Sequence, residues 1–495
     1  MEGLHLHQQK KEQLNETFKQ FKVKIFSSLT QIIASLCSQL AQANTQTNYV
    51  DLALPGMLPV LNEECLDLAI KASLAFKGHI NPKIKFDRKH YFYSDMPQGY
   101  QITQKNYPIM ERGKLYFYDR NGKPKFINIQ RIQMEQDSAK SFHDLQTHTL
   151  IDYNRAGMPL LEIVTEPEID HPEDGKLVVK EFQDLLKALG LSEANMEEGQ
   201  MRCDVNISVS NEEKGLQGNR VEIKNVLGAK FVEKAIEYEV MRHVDLLLKG
   251  EPIMKETRRY DSLEDKTISL RSKEQDPDYR FFQDPDLPCI SVTPDRIRRI
   301  EQTLMPTPFE RRNSFIEKYN LQIWEVLTIF SQDELVPIFE KLADDKTKSR
   351  DPKNLFNWFF THIYGNIQKK GLDLLPIINK NFKNGDYVAE LIDLVSNEKL
   401  SINNAKMIAY KIIDGDLREP LQIAQFENLL STGSIDYEAA IDKVLKEKAD
   451  VVEKILKTKK EGQIQFLVGQ TLKLLRGSGD AQKIQSIIRE KIGLK

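Results

Sequence analysis

The sequence contains no run of about 18 uninterrupted apolar residues, so no membrane-spanning helix is expected. Its richest apolar stretch near the start, residues 25–43, is interrupted by Ser27, Ser28, Thr30, Gln31, Ser35 and Ser38. It is read as an amphipathic helix of a water-soluble protein. The first twenty residues lack a basic segment followed by an apolar one, which argues against a secretory signal, and Glu2, Glu12 and Glu16 are unlike an acid-poor transit peptide. An organellar address stays open. Cysteine is scarce: Cys37, Cys65, Cys203 and Cys289 form no CxxC pair, which argues against a zinc ribbon. Their scatter suits buried thiols in a reducing compartment. A Walker A loop, a GxGxxG turn after a strand, a GxSxG elbow and a Ser-Ser-Lys amidase signature are all missing, so the chain is not expected to release ammonia from an amide by itself.

What is present is an ordinary globular composition, 40% hydrophobic and 29% charged, over 495 residues, a length that calls for two or three domains. The net charge of -3 hides an asymmetry. Residues 441–495 hold 13 Lys and Arg against 7 Asp and Glu, a local +6, leaving about -9 for the rest. A basic tail on an acidic body fits a polyanionic partner, and equally a solvated helical surface.

Local signals divide the chain. Residues 50–290 mix strands and helices. Leu115–Tyr118 reads as a strand, Asn121-Gly122 as a two-residue hairpin turn, and Lys125–Asp137 as the return strand. Helices are predicted at Glu63–Phe76, at Pro172–Leu189 with Gly190 as cap, and at Lys230–Lys249 closed by Gly250. Beyond about residue 290 helical spacing takes over. Met305-Pro306-Thr307-Pro308 marks a rigid connection, and residues 344–354 a charged loop.

Polar residues converge most clearly in Met201–Val209. Period two puts Met201, Cys203, Val205, Ile207 and Val209 in the core and Arg202, Asp204, Asn206 and Ser208 on the other face. If Arg220–Val226 returns antiparallel, Glu222 and Lys224 join that face. Cations beside carboxylates are what phosphoryl transfer requires, and a solvent-facing sheet with cross-strand ion pairs has the same pattern. Glu135 and Glu162 are further carboxylates in strand-like settings. Glu162, between Leu161 and Ile163, is expected to be partly buried and to need a cation, a donor, a metal or a proton. Residues 85–104 interleave aromatic and basic side chains, as nucleic-acid contacts or as simple core. His5 and His7 share a face if extended, a weak metal signal.

Several segments together resemble one family, GatB, the B component of aspartyl/glutamyl-tRNA amidotransferases. They are LALPGMLPVLN (52–62), KFDRKHYFYSDMPQGYQITQ (85–104), DYNRAGMPLLEIVTEPEI (152–169), MEEGQMRCDVNISV (196–209), VEIKNV (221–226), ETRRYD (256–261), DYRFFQDPDLP (278–288) and FLVGQTLK (466–473), in one order over nearly the whole chain. The resemblance implies an α+β fold: a mixed-sheet cradle domain over 1–294, a helical domain over 295–412, and a small all-helical tail over 413–495 that binds tRNA. It implies ATP and Mg2+ as cofactors, phosphorylation of the side-chain carboxylate of Glu-tRNA(Gln) or Asp-tRNA(Asn), and amidation by ammonia. The ammonia would come through a polar channel from an A-type amidase partner, accompanied by a small C-type partner. The address implied is the mitochondrial matrix in a eukaryote or the bacterial cytoplasm.

Carried over position by position, the resemblance assigns catalytic roles to Glu135, Arg202, Glu222 and Lys224, and metal roles to His7, Gln136, Glu162 and Asp204. Arg88, Lys89 and Tyr91 fall to the substrate or channel, and Lys473, Arg476 and Lys483 to tRNA. The sequence departs from the family pattern at His5 and Gln136, where the family has glutamate, and at Gln133, where it has histidine. Neutral groups in place of anions weaken a magnesium site. Either Glu135 substitutes, the metal changes, or the protein is a scaffold that binds tRNA and the amidase without chemistry. The paired cysteines of zinc-bearing members are absent, so zinc is not expected.

Overall fold

The computed structural model describes residues 16–17, 20–32, 41–143, 147–272, 278–348, 350–430, 437–458, 462–474 and 481–493. The chain divides into two units, 1–311 and 312–495. The first is built on a ten-stranded mixed sheet. Its strands are β1 (Lys22–Ile32), β2 (His79–Ile80), β6 (Met110–Tyr118), β7 (Pro124–Gln136), β10 (Pro159–Thr165), β11 (Met201–Asn211), β12 (Leu216–Gln217), β13 (Val221–Val226), β14 (Glu256–Asp261) and β15 (Lys266–Ser272). Their order is β15-β14-β13-β11-β1-β10-β7-β6-β2, with β12 paired to β11 off this path. Only β13 and β14 run parallel; the other pairs are antiparallel. Small sheets join β3 (Lys83–Ile84) to β17 (Ile290–Ser291), β8 (Lys140–Phe142) to β9 (Leu150–Asp152), and β4 (Asp87–His90) to β5 (Tyr100–Thr103) and β16 (Phe282–Gln283).

The strand β1 corrects the expected helix over residues 25–43, of which residues 33–40 lie outside the described residues. Phe21, Val23 and Ile25 are buried while Lys22 and Lys24 are exposed, which is period two rather than 3.6. Tertiary demand reinforces the pattern: β1 sits between β10 and β11 and satisfies the backbone of both. Elsewhere the local signals hold. The helix α1 (Glu63–Ala75) is capped by Asn62, whose side chain accepts from the Glu64 amide. The helix α2 (Pro172–Ala188) opens with Pro172 and two acidic residues, and Gly190 follows it with φ 68°. The helix α3 (Ala229–Lys249) stops at Gly250, φ 74°. The β6–β7 hairpin forms, but Tyr118 faces Pro124, so its loop is longer than two residues. The Asp119 carboxylate accepts from the Asn121 and Lys123 amides and organises it.

The alternating residues of β11 bury Met201, Cys203, Val205, Ile207 and Val209 in one core, which α2 and α3 complete with Phe182, Ile236 and Val240. Cys65 and Cys203 are buried as expected, but Cys289 is exposed, and Cys37 lies outside the described residues. The second unit is helical in its described residues. One core gathers Phe339, Trp358, Leu391 and Ile408, and another, within 437–493, gathers Ile441, Leu467, Ile484 and Ile488.

Because Ile25 is 1% exposed at the centre of the sheet, Ile25→Ala is expected to cost about 2–5 kcal/mol. Urea unfolding checks this; a cost under about 0.5 kcal/mol would contradict a central β1.

Candidate functional site

The face of the sheet opposite α2 and α3 carries the polar groups. Register fixes who meets whom. Glu162 on β10 is the partner of Gln133 on β7, and Thr30 on β1 is the partner of both Glu162 and Arg202. Asn206 on β11 is the partner of Glu222 on β13. Gln133, Glu135, Glu162, Arg202, Asp204, Asn206, Glu222 and Lys224 therefore share one face across five strands, β1 lying in their middle.

Two clusters stand on it. In the first, the buried Gln133 amide donates to Glu135 Oε1 at 2.8 Å and to Glu162 Oε2 at 2.5 Å. Thr103 also donates to Glu135, and Gln101 reaches its other oxygen at 3.3 Å. Burial, with the Glu162 charge added to it, pushes the Glu135 carboxyl up to about 7; Lys89, Thr103 and Gln133 restrain the rise. In the second cluster Lys224 Nζ lies 3.1 Å from Asp204 and 3.5 Å from Glu222, and Thr257 donates to Glu222 at 3.1 Å. Burial raises the Asp204 carboxyl, Lys224 opposes that rise, and Glu222 and Glu162 add to it. Burial also works against the Lys224 ammonium, but Asp204 and Glu222 outweigh it and hold the charge on.

Between the clusters, buried Asp137 accepts from Arg155, with Nε at 3.0 Å, and from Arg202 at 3.5 Å. Burial raises the Asp137 carboxyl against the pull of Arg155. Arg155 is delivered by a tight turn at Gly157, whose φ is +75° and where a Cβ would lie 2.6 Å from Asp51 Oδ1, so any larger residue would be strained there and would displace the Asp51 carboxylate.

The sequence-derived residues fall out unevenly. Glu135, Glu162, Arg202, Asp204, Glu222 and Lys224 come together on this face. Gln136 does not: it alternates to the other side of β7 and donates to Gln98 at 3.0 Å and to the Tyr100 carbonyl at 3.5 Å. It lines a cavity of about 740 Å³ with Asp51, Leu58, Cys65 and Met134, and Glu135 also reaches this cavity. Lys89 pairs in register with Gln101, on the side of Glu135, and lies 4.9 Å from the Tyr279 ring centre. Arg88, one residue earlier, turns away to Asp284 and Asp286 at 2.8 Å each and packs over Tyr100. Burial raises the Tyr91 hydroxyl, and the Asp95, Glu135 and Asp137 charges add to the rise. His5, His7 and Arg476 lie outside the described residues. Lys473 and Lys483 are exposed on helices Gly462–Leu474 and Ala481–Lys491, Lys483 lying 5.2 Å from the Tyr437 ring centre. Among the described residues no three His, Cys, Asp or Glu side chains close on one point as a protein-only metal cage does.

Sequence reasoning missed Thr103, Gln101, Arg155 and the bridging role of Gln133. The first two were legible in principle, since alternation along Tyr100–Thr103 puts them on the side of Lys89. Arg155 depends on a turn that no periodicity announces.

Residues 6–298 match the family model described as the GatB/GatE catalytic domain, and residues 338–492 match the model described as the GatB domain. The chain belongs to the GatB family. Relatives cover almost all of it. The GatB protein of an aspartyl/glutamyl-tRNA(Asn/Gln) amidotransferase from Pelagibacter ubique is 38% identical over 91% of this chain and 91% of its own length. The counterpart from Rickettsia conorii is 37% identical over 95% and 94%. The mitochondrial counterpart in the glutamyl-tRNA(Gln) amidotransferase of Naegleria gruberi is 37% identical over 99% and 94%. The GatB catalytic-domain match spans every strand of the ten-stranded sheet and both polar clusters.

The raised Glu135 carboxyl makes a pH prediction. Its folded form holds a proton more tightly than the ordinary value of 4.5 allows. The stability this contributes is complete below about 4.5 and is lost as pH rises through about 7. Without added metal, Glu135→Gln is therefore expected to gain in Tm over wild type as pH goes from about 5 to about 8. Parallel Tm curves would refute the buried pairing with Glu162.

Proposed function

We propose that this GatB-family chain activates the side-chain carboxylate of misacylated Glu-tRNA(Gln), and Asp-tRNA(Asn) by the same chemistry, with ATP, and passes it to ammonia. The observation that carries this reading is the meeting of Lys224, Arg202 and Lys89 with paired carboxylates on one face of the sheet. A carboxylate is a poor acyl donor. Its oxygen attacks the terminal phosphorus of ATP, ADP departs, and the acyl phosphate now carries a leaving group. Ammonia then attacks the acyl carbon, and phosphate leaves with the C–O bonding pair.

The chain's own residues divide the work. Arg202 and Lys224 neutralise phosphate oxygens as charge shifts between them, and Asp204 and Glu222 keep the Lys224 ammonium charged and aimed. Glu135, poised near neutrality, accepts a proton from the attacking nitrogen. Lys89 and Tyr91 flank the route to it.

Mg2+ is ordinarily held by one or two protein carboxylates plus substrate phosphates rather than by an all-protein cage. Glu162 and Asp204, whose charges already act on each other, fit that donor set; the Gln133 oxygen is turned to Arg131, which donates to it at 3.0 Å. When bound, magnesium would offset charge on the transferred phosphoryl group. Gln136, on the other side of β7, is not needed for it, so the replacement there does not weaken the case for chemistry over a scaffold.

The ammonia is assigned to an amidase partner of the A type, and a small C-type protein is the further partner proposed. Lys473, Arg476 and Lys483 are proposed tRNA phosphate contacts. The mitochondrial matrix is the proposed address, on the strength of the Naegleria gruberi relative.

The complex with its amidase is expected to form Gln-tRNA(Gln) from Glu-tRNA(Gln), ATP and glutamine, and Lys224→Met to lower kcat about 100-fold or more. Bound tRNA without any amide formed would favour the scaffold. In a second test, Gln133→Glu adds a third carboxylate between Glu135 and Glu162. It is expected to lower the metal-free Tm and to enlarge the rise in Tm on adding Mg2+, whereas Gln136→Glu leaves that rise unchanged. The reverse pattern would move the metal to the Gln136 side of β7.

A further inference from the structure

The loop after β4 exposes two large rings that neither polar cluster uses. Phe92 is 87% exposed and Tyr93 68%. Neither is stranded by a floppy backbone. Tyr91 bonds through its amide to the Gly99 carbonyl, and the Met96 amide to the Tyr93 carbonyl. Gly99 has φ +74°, and the Phe92 ring lies where a Cβ at Gly99 would come within 3.0 Å of it. The chain thus holds the rings outward on a tight turn.

The rings continue inward. Tyr93 meets Tyr91 edge to face at 6.1 Å, and Tyr91 meets Tyr279 at 6.3 Å. Cations ride on this row: Lys89 lies 4.9 Å from the Tyr279 ring centre and Lys105 4.1 Å from that of Phe281. Midway along it, Tyr91 is near enough to Glu135 and Asp137 for their charges to act on its hydroxyl.

We propose that Phe92 and Tyr93 form a stacking shelf for the unpaired nucleotides at the 3′ end of the aminoacylated RNA, with Lys89 and Lys105 meeting their phosphates. This rests on the proposed function, which needs the terminal aminoacyl group at Glu135. Tyr91, whose hydroxyl feels the Glu135 charge, also meets Tyr93, so the loop is the next aromatic surface a strand leaving that carboxylate would find. Rings interleaved with lysine suit unpaired RNA, because every base offers a π face and every step a phosphate. Exposed Phe and Tyr suit a protein partner as well, and it is the lysines, depleted from protein–protein interface cores, that favour RNA here.

The test uses the full chain in complex with its amidase and the double variant Phe92→Ala/Tyr93→Ala. Two arms keep this inference separate from the function it deepens. In the first, a short single-stranded RNA ending in CCA is titrated by fluorescence anisotropy, beside a blunt RNA duplex. The double variant is expected to bind the single strand about tenfold or more weakly, with duplex binding unchanged. In the second, KM for Glu-tRNA(Gln) rises by a similar factor while kcat at saturation is kept, and Phe92→Tyr/Tyr93→Phe restores both. Unchanged single-strand affinity overturns the shelf, whatever the amidation assay gives. Loss of the amidase from the purified complex with RNA affinity intact would make the loop a protein interface and likewise overturns it. Wild type that binds the single strand through these rings but forms no amide would retain the shelf and overturn the proposed function.

Discussion

Everything on the polar face depends on one forced meeting: two glutamates on adjacent strands, Glu135 and Glu162, sharing a single amide donor from Gln133. Like charges held that close in a partly buried site repel, and the fold tolerates them because a proton or a cation can resolve the repulsion. The same arithmetic repeats across β1, where Asp204 leans on Lys224. The face is arranged so that added positive charge lowers its energy. The cationic side chains Lys89, Arg202 and Lys224 supply part of that relief.

Much of this was written in local pattern. The alternation of Met201–Val209 separated core from polar face correctly, because each odd residue is apolar and each even one is not. The hairpin, the helix ends at Gly190 and Gly250, and the partial burial of Glu162 follow from short-range rules. What local pattern could not carry is anything set by a distant partner. The stretch from Ile25 onward has enough apolar residues for either period, and its choice of strand is made by β10 and β11, which both lack a neighbour without it.

The site itself was legible by residue type but not by side. Adjacent residues on a strand point in opposite directions, so Glu135 and Gln136 cannot both join Glu162, and a motif read as a string does not show which one does. Register decides it: Glu162 opposite Gln133 selects the odd positions of β7. Arg88 and Lys89 divide in the same way, the first held by Asp284 and Asp286, the second left facing the carboxylates.

The central place of β1 also bears on biosynthesis. Lys22 is paired with Ser210, so a strand made early must wait for one made much later, and its own two edges stay open meanwhile. At ribosomal speeds of about 5–20 residues per second that interval is on the order of ten seconds or more, long compared with hairpin formation. The first stretch of the nascent chain is therefore a natural client for a chaperone, and the carboxylate face cannot exist until the sheet has closed around it.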